Sequence, residues 1–247
     1  MRLDLWLQWY DKLRVKFGYS IVEDQSAAQL LSELLEGRSL DLDHVKKLVN
    51  GKNVLVVGAG PSLEESVPII KNLKSFVTIA ADGASEALIE NGIKPDIVVT
   101  DLDGNHEYLL KADKMGSIMV VHAHGDNVDL MRNLVPKMKN CIGTTQVKPL
   151  HNIHNFGGFT DGDRAVFLAS EFNAQNIVLV GMDFGNKIGK YSKTKVQNEK
   201  LKIAKLEVGK ELLEWLATFT KAKLYNASPS TIKGFRNIAL NEIAKLD

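Results

Sequence analysis

From residue 53 onward, short β-rich runs alternate with segments of helical character, and this alternation narrows the possible folds sharply. The runs are Val54–Val57, Phe76–Ala80, Ile97–Thr100, Ile118–His122, Ile177–Val180 and Leu224–Tyr225, with a weaker candidate at Cys141–Ile142. Strands that alternate with helices build βαβ units, whose parallel strands are covered on both faces. We therefore predict an α/β fold: a Rossmann-like, mostly parallel sheet with helices on both faces.

Residues 1–50 carry helical patterns only. Apolar and aromatic side chains recur at helical spacing from Leu3 to Leu13 and from Ala27 to Leu34, and a third short helix is predicted from Leu40 to Val49. We predict a small all-helical N-terminal segment at 1–50, followed by an α/β domain at 51–247. The aromatic face of this segment is expected to be a packing surface, with a ligand-binding surface as the alternative. A homodimer contact through these helices also stays open.

Glycines or carboxylates follow five of the predicted strands. They are Gly58 to Ser62, Asp82, the pair Asp101 and Asp103, Asp126, and Asp183. Ligands of open α/β sheets bind outside the carboxyl ends of the strands. We therefore predict a single rim that holds a binding site.

A glycine-rich segment follows the first run and opens a helix, with the sequence Gly58, Ala59, Gly60, Pro61, Ser62 and Leu63. Glycines let the backbone approach a phosphate, and Pro61 suits a first helical turn. Ser62 is placed either to cap the helix or to donate to a phosphate oxygen. A tight turn without a ligand is the alternative. A dinucleotide fingerprint with Asp82 as the ribose acid fits less well, because Leu63 occupies the third glycine position.

Asp101 and Asp103 follow the third run directly. Two carboxylates two residues apart lie on one side if the strand stays extended. At that separation they repel each other unless a proton or a cation lies between them. Hard oxygen ligands suit Mg²⁺, which completes its shell with water and substrate phosphates. We predict a magnesium site here, and a capped turn is the alternative.

Asp126 follows the fourth run, close to His122 and His124. It is predicted either to complete the metal site or to cap the next helix. Zinc is disfavoured, because the histidines come without a clear zinc-ligand set.

Two further segments carry positive charge. Arg164 follows a glycine loop at a helix start and suits a bidentate phosphate contact, with a helix cap plus a surface ion pair as the alternative. A lysine-rich stretch follows Asp183, and it is either a mobile lid over a triphosphate or, as we favour, a loop and a solvated helix face. Its lysines are Lys187, Lys190, Lys193, Lys195, Lys200, Lys202 and Lys205.

Composition argues against several classes of partner. The formal net charge of +1 gives no bulk attraction to nucleic acid or to an anionic membrane. Cys141 is the single cysteine, so an intramolecular disulfide is excluded. Apolar runs stay shorter than the roughly 18–20 residues of a membrane span. We expect a cytoplasmic protein without a nucleic-acid or membrane partner.

Together the motifs resemble the archaeal 6-hydroxymethyl-7,8-dihydropterin pyrophosphokinase family, a relative of the thiamine pyrophosphokinase catalytic domain. The matching segments are Gly58–Leu63, Ala81–Gly83, Pro95–Gly104, His122–Asn127 and Gly181–Gly185. The resemblance covers about residues 51 to 235. It implies Mg²⁺-dependent transfer of a pyrophosphoryl group from ATP to the hydroxymethyl group of a reduced pterin, with AMP leaving.

The resemblance also implies roles for single residues. Asp101 and Asp103 fall on the Asp-x-Asp pattern that holds Mg²⁺ in thiamine pyrophosphokinases, whereas Gly104 stands where those enzymes usually have serine. Asp126 matches a further acidic position and is expected as a third metal ligand. Either Arg164 or a lysine of the stretch after Asp183 is expected to offset the charge that develops at the β-phosphorus. The expected nucleotide-binding residues are Gly58, Gly60, Pro61, Ser62, Asp82, Gly83 and Asp183.

Two other functions stay open at this point. A nucleotide-sugar-dependent glycosyltransferase-like protein is the first, since bacterial proteins linked to flagellin modification are similar around the Gly-Pro-Ser-Leu segment. A non-catalytic nucleotide- or RNA-binding module that uses the lysine stretch is the second.

Overall fold

The computed structural model describes residues 2–185, 187–192 and 199–246. Within these ranges the strands form one sheet in the order β6-β5-β4-β3-β2-β1-β7-β8-β9, and all neighbouring strands are parallel. The strands are β1 (Asn53–Val57), β2 (Val77–Ala81), β3 (Ile97–Thr100), β4 (Ile118–Ala123), β5 (Cys141–Thr145), β6 (Ile153–His154), β7 (Asn176–Val180), β8 (Lys223–Asn226) and β9 (Arg236–Asn237). The predicted α/β fold is confirmed.

Helices cover both faces of this sheet. They are α1 (Leu3–Phe17), α2 (Ile21–Leu34), α3 (Leu42–Val49), α4 (Leu63–Ile70), α5 (Asp82–Glu90), α6 (His106–Lys114), α7 (Val128–Leu134), α8 (Asp161–Glu171) and α9 (Glu199–Leu216). Alternating residues of β1 enter two different apolar clusters: Val54 and Val56 pack with α1–α3, α8 and α9, while Leu55 and Val57 pack with α4 and α5. Successive strand residues point to opposite faces, so both faces are buried.

The strand order reverses direction once, between β1 and β7. From β1 the chain steps outward strand by strand to β6, and it then returns to the other side of β1 as β7. Such a reversal leaves a crevice at the carboxyl ends of the two strands, where open α/β sheets bind their ligands.

The N-terminal helices belong to the core. Trp6, Tyr10 and Leu31 are buried in the cluster that also contains α8 and the sheet. The expected packing of the aromatic face is confirmed, and the apolar core continues across residue 50. A homodimer contact stays a prediction.

Some boundaries differ from the sequence prediction for local reasons. β6 and β9 have two residues each, too short for a hydrophobic period to reveal them. The helical pattern of the sequence continues from Val128 to Met138, but α7 ends at Leu134 and a 3₁₀ turn follows. Pro136 lacks the N–H that would continue the helix. Among the residues described here, no helix is both long and apolar enough to cross a bilayer.

Candidate active site

A cavity of about 450 Å³ opens at the carboxyl ends of β1, β2, β3 and β7. Its position coincides with the reversal of strand order. Lining residues that bear charge are Asp82, Asp101, Asp103, Asp161, Arg164, Asp183, Lys187, Lys202 and Lys205. The single rim predicted from the strand ends therefore exists, and cationic side chains face acidic ones across it.

Three carboxylates converge in this cavity. One oxygen each from Asp82, Asp101 and Asp103 lies within 4.8 Å of the other two. Asp82 was expected to bind the nucleotide, and the structure places it beside the Asp101–Asp103 pair instead. Carboxylate oxygens at this separation can hold a divalent cation.

The backbone around Leu102 brings Asp101 and Asp103 together. β3 ends at Thr100, and Leu102 has a φ of 72°, in the left-handed region that leucine rarely adopts. The amide of Asp103 donates to Asp101 Oδ1 over 3.3 Å, and the Leu102 side chain is buried beneath the turn. The strand does not stay extended over these residues, and a tight turn with a buried anchor produces the convergence instead.

Among the described residues, one carboxylate oxygen of Asp82 accepts two hydrogen bonds and the other accepts none. Thr100 Oγ1 donates to Asp82 Oδ2 over 2.5 Å, and the Gly104 amide donates to the same oxygen over 3.2 Å. Asp82 is 5% exposed, and its Oδ1 has no hydrogen-bond partner within the described chain. A buried carboxylate oxygen without a partner is costly unless a proton or a cation satisfies it.

The pKa values of the three clustered carboxylates are shifted in different directions. Burial and the charge of Asp101 raise the pKa of Asp82 to about 7. Partial burial and the Asp101 charge also raise the pKa of Asp103 to about 7, although part of this residue faces the open cavity. Burial opposes ionisation of Asp101, but His124 and Arg164 outweigh it and hold the pKa of Asp101 below its ordinary range. Without a cation the cluster therefore retains protons that a metal ion would displace.

His124 orients Asp101, a role that the sequence did not reveal. Its Nε2 lies 3.5 Å from Asp101 Oδ2, and its Nδ1 accepts the amide of Asp126 over 3.2 Å. Because Nδ1 accepts, the ring N–H that faces the carboxylate is on Nε2. Asn127 Nδ2 adds a bond of 2.8 Å to the carbonyl of Asp101.

Asp126 lies outside the carboxylate cluster. Its side chain is 75% exposed, and its carboxylate is 3.9 Å from His124 Nδ1. The metal role expected for Asp126 does not fit this position. The helix-cap alternative does not fit either, since His124 caps the 3₁₀ turn at Gly125–Asn127 and Asn127 precedes α7.

In the glycine turn after β1 (residues 58–62), hydrogen-bond donors that could bind a phosphate are already bonded to other protein groups. Both the amide and the hydroxyl of Ser62 donate to Asp183 Oδ2, over 3.0 and 2.8 Å. The amides of Gly58 and Gly60 donate to carbonyls of Val180 and Gly181. Asp183 thus takes the place at the start of α4 where a phosphate was expected, and the phosphate role of Ser62 does not fit.

Other residues expected to bind nucleotide divide into two groups. Gly58, Gly60, Gly83 and Asp183 line the cavity, whereas the exposed Pro61 is absent from its lining among the described residues. A Cβ atom on Gly58 or on Gly60 would lie 2.6 Å from the carbonyl oxygen of Gly181. These glycines permit close packing of the turns after β1 and β7.

Residues 187–192 cover the glycine turn. Gly189 packs on the backbone of Ala59 and Gly60, and Tyr191 Oη donates to Glu90 Oε2 over 3.0 Å. Lys202 and Lys205 face the cavity from α9, so the solvated helix face that we favoured does not hold for them. Lys193 and Lys195 lie outside the described residues.

Arg164 reaches the cavity from the first turn of α8. Its side chain is 8% exposed; Nη1 lies 3.4 Å from Asp161 Oδ1, and Nη2 donates to Gln146 Oε1 over 3.3 Å. Burial and the charge of Asp101 raise the pKa of Asp161 well above its ordinary value. Thr160 and Asp163 form the helix cap that was the alternative, but the ion pair is buried rather than on the surface.

A model of the family described as 6-hydroxymethylpterin diphosphokinase MptE-like matches residues 28–189. The chain belongs to this family. The match spans β1 to β7 and every charged residue of the carboxylate cluster, so the resemblance deduced from the motifs is confirmed. The matched region begins within α2, before the first strand of the sheet.

Curated MptE-like relatives match over nearly their whole length. Three archaeal proteins carry the name 6-hydroxymethyl-7,8-dihydropterin pyrophosphokinase. The protein from Methanocaldococcus jannaschii is 41% identical over 87% of this chain and 96% of its own. That from Pyrococcus furiosus is 45% identical over 92% and 100%, and that from Methanothermobacter thermautotrophicus is 43% identical over 87% and 95%.

Two solved structures were compared with the fold of this chain. A MAf glycosyltransferase from Magnetospirillum magneticum aligns with 78% of this MptE-like chain and 34% of its own at a TM-score of 0.58 and 18% identity. That likeness shows the fold alone. Thiamine pyrophosphokinase from Bacillus subtilis aligns with 71% of this chain and 59% of its own at a TM-score of 0.36 and 15% identity, too weak to support an inference.

Proposed function

We propose that this MptE-like protein transfers a pyrophosphoryl group from ATP to the hydroxymethyl group of 6-hydroxymethyl-7,8-dihydropterin, with AMP as the second product. The observation that carries the proposal is the convergence of Asp82, Asp101 and Asp103 in the cavity beside a buried arginine. It occurs in a chain that is 41% to 45% identical to curated proteins of that name.

The carboxylate cluster would hold Mg²⁺. Its donors are all carboxylate oxygens, which suit this ion, and the unpartnered Asp82 Oδ1 supplies a buried ligand position among the described residues. Bound there, the ion would neutralise oxygens of the β- and γ-phosphates. In this proposal Asp82 replaces Asp126 as the third ligand.

Cationic side chains would hold the rest of the triphosphate. Arg164, Lys202 and Lys205 line the cavity around the acidic cluster. Phosphoryl-type transfer depends mainly on positioning and on neutralising charge, and fixed cations supply both. Arg164 is the best placed of these, because Asp161 and Gln146 restrain its guanidinium.

The reaction balances without a further reactant. The acceptor hydroxyl oxygen forms a bond to the β-phosphorus, and the bond from that phosphorus to the oxygen bridging to the α-phosphate breaks. AMP leaves with that oxygen, and the hydroxyl proton passes to water or to a carboxylate of the cluster.

A product assay tests the proposal. Purified protein is incubated with ATP, Mg²⁺ and 6-hydroxymethyl-7,8-dihydropterin, and AMP is quantified by chromatography. We expect AMP and the pterin diphosphate in equal amounts, with ADP absent. Turnover of nucleotide sugars, without AMP release from ATP in the presence of the pterin, would contradict the proposal.

A further inference from the structure

Asp24 of α2 is a buried polar junction between the N-terminal helices and the cavity wall. It is 2% exposed. Its Oδ2 accepts from Tyr10 Oη over 2.6 Å and from Gln146 Nε2 over 2.7 Å, and its Oδ1 accepts the amide of Gly125 over 2.8 Å. Three donors thus converge on one carboxylate that has no role in the chemistry proposed above.

The first connection leads to Arg164. Gln146 uses its Nε2 on Asp24 and its Oε1 on Arg164 Nη2. A carboxylate accepts hydrogen bonds but cannot donate them, so Asp24 requires the amide nitrogen of Gln146 on its side. The amide oxygen must then face the guanidinium. Trp6 Nε1 fixes the same residue by donating to the carbonyl of Gln146 over 2.9 Å.

The second connection leads to Asp101. Gly125 directly follows His124, whose Nε2 lies 3.5 Å from Asp101 Oδ2. The hydrogen bond from the Gly125 amide to Asp24 therefore holds the turn that carries His124. Asp24 is thus linked through Gln146 to a cation on one side of the cavity, and through Gly125 and His124 to a carboxylate on the other.

We infer that Asp24 is a positioning residue for the site: it sets the amide of Gln146 toward Arg164 and anchors the His124 turn beside Asp101. The inference rests on the proposed function, because it assigns Arg164 and Asp101 a part in holding ATP and the cation. It gives residues 1–50 a role in the site that their sequence did not suggest.

Asp24→Asn tests the inference with minimal change of shape. If the asparagine oxygen keeps the Gly125 amide, its NH₂ group faces Gln146 Nε2, and Gln146 must turn its own NH₂ toward Arg164. We expect kcat/KM for ATP to fall roughly tenfold or more, since small misplacements of positioning groups cost this much. Ser32→Ala is the matched control: it removes another contact of α2, the 2.5 Å bond to Asn152 Oδ1, and we expect its kcat/KM to stay at the wild-type value.

A compensating variant separates positioning from mere stability. In Asp24→Asn/Gln146→Glu the introduced glutamate accepts both from the introduced asparagine and from Arg164, so the interrupted chain of hydrogen bonds is restored. We expect the double variant to regain most of the lost kcat/KM, and Gln146→Glu alone to stay impaired by repulsion between two adjacent carboxylates. If Asp24→Asn does not fold, Gln146→Met carries the test, because it removes the acceptor for Arg164 and the donor to Asp24.

Calorimetric titration of each variant with ATP and Mg²⁺, without any pterin, makes the two proposals separable. We expect weaker ATP binding in Asp24→Asn and recovery in the double variant. Binding and turnover equal to wild type in Asp24→Asn, or no recovery in the double variant, would overturn the role of Asp24. If the wild type binds ATP but releases no AMP, the proposed reaction fails, while the titration still decides the role of Asp24.

Discussion

Thr100 Oγ1 donates a 2.5 Å hydrogen bond to Asp82 Oδ2, and this contact joins the end of β3 to the first residue of α5. The same hydroxyl oxygen accepts the amide of Leu102 over 2.8 Å. One threonine therefore fixes both the third carboxylate and the turn that presents Asp101 and Asp103. The cluster owes its geometry to this shared contact between neighbouring strands.

Asp101→Asn keeps the shape of the side chain and removes its charge. We expect kcat to fall by about a hundredfold or more, because even residues that only support metal ligands cost up to that factor when they are lost. The melting temperature should stay near the wild-type value. AMP release and thermal unfolding, measured on the same preparation, check both points, and full activity in the variant would remove the metal role of Asp101.

Gly104→Ala places a methyl group against Asp82. The Cβ atom would overlap Asp82 Oδ1, so the carboxylate or the turn must move. We expect a loss of roughly 1–3 kcal/mol in the free energy of unfolding, together with loss of AMP release. Gly185→Ala is the control, since a Cβ atom there has no described neighbour within 4 Å. Equal behaviour of the two variants would show that Asp82 is not confined as described.

The stability of the metal-free protein should fall as the pH rises. Because the pKa of Asp82 is raised from 3.8 to about 7, the folded protein keeps a proton at intermediate pH that the unfolded chain has lost. The free energy of unfolding should therefore decrease between about pH 4 and pH 7, by roughly 2–4 kcal/mol from this group. Denaturant unfolding in EDTA measures the slope. Asp82→Asn should reduce the slope by this share, while Asp103, whose pKa is also raised to about 7, keeps part of it. An unchanged slope in that variant would contradict the assignment.

Much of the fold could be predicted because the relevant signals are local. The β-rich run at Ile97–Thr100 and the carboxylates that follow it are adjacent in sequence, so the rim position of Asp101 and Asp103 was predictable. The turn geometry was not, because the left-handed conformation of Leu102 depends on a buried side chain and on Thr100.

Most of the errors concern contacts between distant parts of the chain, and one concerns a local turn. Ser62 and Asp183 are 121 positions apart, and the sequence does not show that one would satisfy the other in place of a phosphate. Gln146 and Asp24 are 122 positions apart, which hid the part of the N-terminal helices in the site. Asp126 and His124 differ by two positions, and only the local turn decides which of them faces Asp101.

We propose that Asp82, and not Asp126, completes the cation site with Asp101 and Asp103. Calorimetric titration of Mg²⁺ into the wild type, Asp82→Asn and Asp126→Asn, each saturated with ATP, tests it most directly. We predict that Asp82→Asn weakens Mg²⁺ binding by about tenfold or more, while Asp126→Asn binds like the wild type. Weakened binding in Asp126→Asn together with wild-type binding in Asp82→Asn would contradict the claim.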